Sequence, residues 1–244
     1  AQSSVDAVLK AGYALLPTFA DIFNLNNEAN SELIWTLPYI VNENVTPGTS
    51  PNFFAYYLAP NGDRTRLREA GYTEDEVPAG SHAQYVVPTQ AYCDFLAEDA
   101  RDTRTDVSVR VFEDKFLTEE VQIKRMVVKF KGSFANDTRS FDSDVPVYRL
   151  AEAYLLKAEV ENALGNTDAA LQNLNVVAKR AYGVDNYYTA RTQDAIDNAI
   201  ISEILKEFVA ESKAWWAYLR FNKEFELIET LKREGEKNVT LWPI

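Results

Sequence analysis

The stretch from Val147 to Gly183, VYRLAEAYLLKAEVENALGNTDAALQNLNVVAKRAYG, decides the fold. Leu150, Ala153, Tyr154, Ala158, Glu161 and Leu164 recur at three- and four-residue steps, which sets most of the apolar and small side chains on one helical face. Gly165 and Asn166 tolerate the left-handed backbone that ends a helix, and Thr167 or Asp168 supplies a cap for the next one. Ala170, Leu171, Leu174, Val177, Ala178 and Ala181 then resume the period. The stretch predicts an αα-hairpin whose inner face must be buried.

The spacing is also that of a tetratricopeptide unit: Ala158 and Ala170 fall where the two helices need small residues to approach, and Tyr154 and Leu174 take bulky positions. A single such unit cannot bury its faces alone, so other parts of the chain must cover it. An ordinary antiparallel helix pair inside an α-helical domain fits the same pattern.

The sequence around the hairpin narrows the choice. Asp144, Pro146, Val147, Arg149, Leu150, Ala151, Glu152, Tyr154, Leu155, Ala158 and Glu159 fit the pattern D-x-P-V-x-R-L-A-E-x-Y-L-x-x-A-E. Downstream, Glu207, Phe208, Glu211, Trp215 and Arg220 fit E-L-x-x-E-G-x-R-W-x-D-L-x-R, and the last residues are LWPI. In this order the chain resembles the C-terminal part of the SusD/RagB family of outer-membrane nutrient-binding lipoproteins. Ser212, Ala214 and Ala217 stand where that family usually has Gly, Arg and Asp, which weakens any salt-bridge network expected there but not the fold.

With 244 residues, 46% of them hydrophobic, the chain can bury a substantial core. No run of eighteen apolar residues suggests a membrane span. Thirty-seven acidic against 25 basic residues give a net charge of −12, which repels a phosphate backbone and argues against nucleic acid as a partner. Cys93 is the only cysteine, excluding an intrachain disulfide, and its setting QAYCDFLAED predicts a buried, inert thiol in a helix.

Taken in order, Val5 to Phe23 shows helical spacing interrupted at Pro17, which predicts two short helices. Glu32 to Leu37 reads as a short strand after an Asn-rich turn, an order that also resembles the family. From Pro38 to Pro88 prolines, glycines and the turn at Asn61-Gly62-Asp63 predict a long loop region. It carries the candidate ligand-binding residues Tyr39, Asn42, Asn44, Phe53, Phe54, Tyr56, Tyr57 and Tyr72. Aromatic faces among amides suit a carbohydrate, because the C–H face of a sugar packs on a ring while its hydroxyls need polar partners. The same rings also serve to pin a loop to the helical body. A helix follows Pro88, and alternation over Val107–Phe112 with a β-rich Val121–Phe130 predicts a small ribbon. Asp194 is expected to cap a long helix bearing Ile196, Ile200, Ile204 and Phe208, and a last helix is expected over Phe225–Leu231.

Other constellations read as structural. Glu203, Glu207 and Glu211 form a carboxylate stripe, but at that spacing they are expected to be a solvated edge or paired with Lys206, Lys213 and Arg220 rather than a glycosidase pair. Asn136, Asp137, Asp142 and Asp144 lack the glycine and terminal glutamate of a calcium loop. His82, the only histidine, has no nucleophile motif beside it. Trp215 is expected in the core, and Trp216 with less force.

The resemblance implies a mainly α fold, SusD-like, with a tetratricopeptide-type hairpin, long loops and a small β element. Its expected organisation is one SusD-like C-terminal region: helices and a short strand over 1–37, a loop-rich ligand-facing insertion over 38–145, and the hairpin with C-terminal helices over 146–244. It further implies a non-catalytic, cofactor-free protein that binds a glycan or other nutrient at the cell surface for a SusC-like TonB-dependent transporter. AQSSVDAVLK has no export-signal pattern, so the family's signal peptide and lipid anchor are expected in a missing N-terminal part of a longer precursor. A peptide-binding tetratricopeptide-like scaffold and, with less support, a glycoside hydrolase are the alternatives.

Overall fold

The computed structural model describes residues 1–43, 45, 68, 71–73, 76, 86–114 and 122–235. In chain order they form α1 (Gln2–Leu9), two 3₁₀ turns (Ala20–Phe23 and Leu25–Asn27), β1 (Leu33–Leu37), α2 (Gln90–Leu96), α3 (Thr105–Ser108) and β2 (Val109–Asp114). There follow β3 (Gln122–Val127), β4 (Ser133–Ala135), β5 (Thr138–Ser140), β6 (Val145–Arg149), α4 (Leu150–Ala163) and α5 (Thr167–Tyr182). The last elements are α6 (Gln193–Glu207), α7 (Ala214–Arg220), α8 (Glu224–Leu227) and α9 (Glu229–Glu234). Asn44, Phe53, Phe54, Tyr56, Tyr57 and His82 lie outside the described residues.

The predicted hairpin is α4 and α5. Ala158 and Ala170 are wholly buried, which lets the helix axes approach, and Gly165 turns the chain at φ 79°. α6 covers the open side with Ile196, Ile200 and Ile204, joined by Phe208, against Leu155, Leu174 and Val177. The caps differ from expectation. Asn166 occupies the position before α5 and its side chain donates to Glu161 Oε2 (2.7 Å) instead of capping. Thr192, not Asp194, caps α6 through the Ala195 N–H; Asp194 sits in the first turn, where its charge suits the helix dipole.

α1 lies on α4, tied by Lys157 to Asp6 (2.6 Å) and Gln2 to Glu161 (3.0 Å). It stops at Leu9 well before Pro17, because Gly12 takes φ 90°, and only a 3₁₀ turn forms at Ala20–Phe23. The expected last helix is split into α8 and α9 by the extended backbone of Ile228. Cys93 is buried, as expected.

Among the described residues the named strands form three antiparallel pairs: β1 with β6, β2 with β3, and β4 with β5. The β2/β3 ribbon is the one predicted from alternation. Asn136 and Asp137 both have positive φ, which gives β4 and β5 a two-residue turn matched to strand twist. Just before β4, Gly132 has φ 65°, and a Cβ there would lie 2.0 Å from the Ser140 carbonyl oxygen.

A buried charge network joins these parts. Arg149, the last residue of β6, donates to Glu32 (3.0 Å), Glu207 (2.9 Å) and Glu211 (2.7 Å). Arg180 from α5 bridges Glu32 and Glu207, and Lys129 binds Glu211 (2.6 Å). Arg104 holds Asp102 in a two-pronged contact and reaches Glu203 (2.8 Å), which also accepts from the Tyr182 and Tyr188 hydroxyls. Phe208 lies 4.6 Å from the Arg149 guanidinium, and Phe23 lies 4.6 Å from the Lys129 ammonium. The carboxylate stripe is therefore no solvated edge. Glu203, Glu207 and Glu211 are buried, and the cations expected to pair with them go elsewhere: Lys206 to Glu98, Lys213 to Glu152 and Arg220 to Glu159.

Burial opposes ionisation of Glu207, yet Arg180, Arg149 and Arg104 hold its carboxyl well below the usual range; Glu211 is lowered against the same burial by Arg149 and Lys129. Carboxyls depressed on folding stabilise the fold above their unfolded pKa, and that contribution is lost as pH falls through the folded value. Arg149→Met strips the central partner from three buried carboxylates and is expected to cost about 3–5 kcal/mol in urea unfolding near neutral pH. The loss of stability below about pH 4.5 should be shallower in the variant than in the parent. Gly132→Ala, which drives a methyl into the Ser140 backbone, should cost about 1–3 kcal/mol in the same assay.

Candidate functional site

Three predicted ligand residues lie within the described part. Tyr39 leaves β1 half-buried, and its N–H donates to Asp144 Oδ1 (2.9 Å). Asn42 is exposed with φ 67°, and its N–H donates to the Val45 carbonyl (2.8 Å) in a small turn closed by a Val41–Val45 bridge. The short polar side chain of Asn tolerates that backbone. Tyr72 sits apart from them, edge-on to Phe112 at 5.6 Å over the β2/β3 ribbon, with Met126 and Val128 beneath. Tyr39 and Asn42 thus share one turn, whereas the Tyr72 ring packs on a different element.

Beside that turn lies an aromatic face that sequence reasoning did not select. Trp35 of β1 is registered against Tyr148 of β6, their ring centroids 6.1 Å apart and the planes 30° from one another. Both point outward, Trp35 at 55% exposure and Tyr148 at 47%, with exposed Leu37 one pleat further along β1. The platform is fixed from below and behind. Strand pairing holds its backbone, and the Lys213 ammonium stands 4.4 Å from the Tyr148 ring centre while donating to the Val147 carbonyl (2.7 Å) and pairing with Glu152 (2.7 Å). Two tilted rings presented this way offer a sugar its apolar contact, and the neighbouring turn supplies the amide of Asn42. A faint signal existed in the sequence: a two-stranded sheet with one face on the core should carry polar residues outside, and Trp35, Leu37 and Tyr148 break that rule.

Lys213 also stands at the rim of a second feature, a groove of about 730 Å³ between α2, the end of α6 and α7. Val86, Val87, Pro88, Tyr92, Phe208, Trp215 and Trp216 line it. Here the expectation that Trp215 is core fails: it is 40% exposed and Trp216 46%, because Ala217 is the residue α7 turns inward. The Tyr92 hydroxyl is spent on the Leu205 carbonyl (2.7 Å), and burial pushes its phenol up. With Ser212 and Lys213 as its principal polar members, this groove offers dispersion contact but little for sugar hydroxyls. Ser212 itself has φ 60°, which explains why glycine is usual at that place.

The remaining acidic positions are occupied with structural bonds. Asp137 pairs with Arg68 (2.7 Å), Asp142 accepts from the Ser133 N–H and hydroxyl, and Asp144 accepts from Tyr39. Among the described residues no group of three or more His, Cys, Asp or Glu is arranged to hold a metal ion. Among them, too, no helix is long and apolar enough to cross a membrane.

The SusD family profile matches residues 112–240, just over half of the chain. A SusD-like protein of Formosa agariphila is 26% identical over 254 residues, covering 93% of this chain and 47% of the relative. A SusD superfamily structure from Bacteroides fragilis superposes with a TM-score of 0.71 at 26% identity, over 88% of this chain and 46% of that one. Surface glycan-binding protein A from Bacteroides thetaiotaomicron matches at the level of fold, with a TM-score of 0.64 at 16% identity over 99% of this chain and 53% of its own. The chain spans about half the length of these relatives. Between the profile match, the helical hairpin with its D-x-P-V-x-R lead-in and these superpositions, the chain belongs to the SusD family.

Proposed function

We propose that this protein captures an oligosaccharide or polysaccharide nutrient at the cell surface and passes it, chemically unchanged, to a SusC-like TonB-dependent outer-membrane transporter. The observation that carries the reading is the Trp35–Tyr148 platform beside the Tyr39–Asn42 turn: exposed rings, fixed by strand pairing and by Lys213, next to amide and backbone polar groups. The fold shared with a surface glycan-binding protein of Bacteroides thetaiotaomicron supports the ligand class. Asn44, Phe53, Phe54, Tyr56 and Tyr57, in the segment that follows, are proposed as further contacts, and Tyr72 as a residue that anchors that segment. The resemblance that fixes the family also supports a lipid-anchored, outer-membrane location in the full-length precursor.

The reading needs no catalytic group. Glu203, Glu207 and Glu211 are buried and held by arginine and lysine, an arrangement unlike two carboxyls facing each other across a substrate cleft.

Native gels cast with a panel of polysaccharides test capture directly. One glycan is expected to retard the protein with no reducing ends released into the matrix, and Trp35→Ala and Tyr148→Ala should each weaken retardation roughly tenfold. Release of reducing ends, or retardation that ignores both substitutions, overturns the proposal.

A further inference from the structure

The strands that carry the Trp35–Tyr148 platform hold little charge of their own. β1, LIWTL, has no charged side chain, and the single charge of β6, VPVYR, is Arg149. Over residues 28–43 and 142–149 together, Arg149 is the one base, set against Glu28, Glu32, Glu43, Asp142 and Asp144. Arg149 is buried and bound to Glu32, Glu207 and Glu211. Lys213 holds its ammonium 4.4 Å from the Tyr148 ring centre, but Glu152 meets that charge at 2.7 Å and the lysine side chain is 15% exposed. Neither cation that flanks Tyr148 is therefore presented to a ligand.

The acids around the platform keep their charge. Glu43 is exposed in the turn beside Asn42, its N–H donating to the Ile40 carbonyl (3.1 Å). Asp144 accepts the Tyr39 N–H (2.9 Å) at the exit of β1, and Asp142 accepts the Ser133 N–H (2.6 Å) and hydroxyl (2.8 Å). These donors are neutral, so they orient the carboxylates without cancelling them. In the sequence of residues 44–85, which follows the turn, acids also outnumber bases, and the chain as a whole carries −12. The rings act with the same sign, because the face of an aromatic ring is the negative pole of its quadrupole.

We propose that the Trp35–Tyr148 platform takes glycans free of sulfate and carboxylate groups, and that the charge around it turns polyanionic glycans away. Stacking on the rings depends on the apolar face of a sugar, which a neutral chain and its anionic derivative share. What separates them is the field: an anionic chain brings one charge after another toward exposed rings bordered by Glu43, Asp142 and Asp144, with the nearby cations already matched. Like charge brought together in this way lowers the rate of encounter and penalises the wrong partner. This rests on the glycan-binding reading and adds the charge class of the ligand to it.

The test compares three forms of each neutral polysaccharide in a panel that includes xylan, amylose and a β-glucan: unmodified, hydroxyethylated, and carboxymethylated to the same extent. The two derivatives differ in charge at similar bulk. Depletion of the protein from solution by each immobilised form gives the affinity. At about 0.01 M salt, where the screening length is about 30 Å, the carboxymethylated form should bind at least roughly tenfold more weakly than its hydroxyethylated twin. At about 1 M, where that length is about 3 Å, the gap should shrink to roughly twofold. Glu43→Lys should raise binding of the carboxymethylated form roughly threefold at low salt and so narrow the gap. A carboxymethylated form that binds as well as its twin or better at low salt overturns the proposal, as does a gap that neither salt nor Glu43→Lys narrows. Binding of anionic forms alone overturns charge selection and leaves glycan capture standing, whereas binding of no form of any polysaccharide sinks the glycan reading and this inference with it.

Discussion

Burying Arg149 is the constraint on which the rest of this structure depends. A guanidinium deep in a protein is tolerable only with near-complete ionic and hydrogen-bonded company, and here Glu32, Glu207 and Glu211 must all reach it. Glu32 stands immediately before β1, and its carbonyl also accepts the Leu150 N–H, so β1 is drawn alongside β6 at the head of α4. Glu207 ends α6, which fixes how far that helix slides along the hairpin. The geometry then propagates outward. Side chains alternate along a strand, so turning Arg149 into the core turns Tyr148 to the outside. The surface proposed to bind ligand is the reverse side of the charge network.

The hairpin was legible because its information is local. Small residues at the helix crossing, glycine at the turn and a steady period lie within one short stretch, and the resemblance around Asp144–Glu159 added the family. The β2/β3 ribbon and the Glu32–Leu37 strand followed from alternation in the same way. The polar core was not legible, since pairing depends on which side chains converge from distant segments. Glu203, Glu207 and Glu211 look identical on a helical wheel whether water or Arg104 and Arg149 faces them. Trp215 went astray for the related reason that a helix with apolar residues on several faces does not declare which face is inward, and Ala217 took that place. The platform needed a pairing between positions 35 and 148 that nothing in either strand announces, and several loop candidates fall outside the described residues.

Two apolar surfaces meet at Lys213, and their chemistry differs. The sheet face is shallow, with rings standing beside backbone and amide polar groups; the groove under Trp215 and Trp216 is deeper and nearly devoid of them. Lys213 secures both by placing its ammonium over Tyr148 while its backbone starts α7. The acidic character of the chain is spread unevenly as well. Much of the carboxylate in the core is neutralised by arginine and lysine.

The charge network also has a kinetic consequence. Arg180 finds Glu32 across 148 residues of chain, Arg149 finds Glu32 across 117, and Arg104 finds Glu203 across 99. The α4–α5 hairpin can form from neighbours alone, but contacts of such long range wait on loop closure. Until Glu32 and Glu207 arrive, a young hairpin carries Arg149 and Arg180 in water, with the seam between helices and strands still wet. Locking these charges, and with it setting β1 against β6, is therefore expected to follow formation of the hairpin.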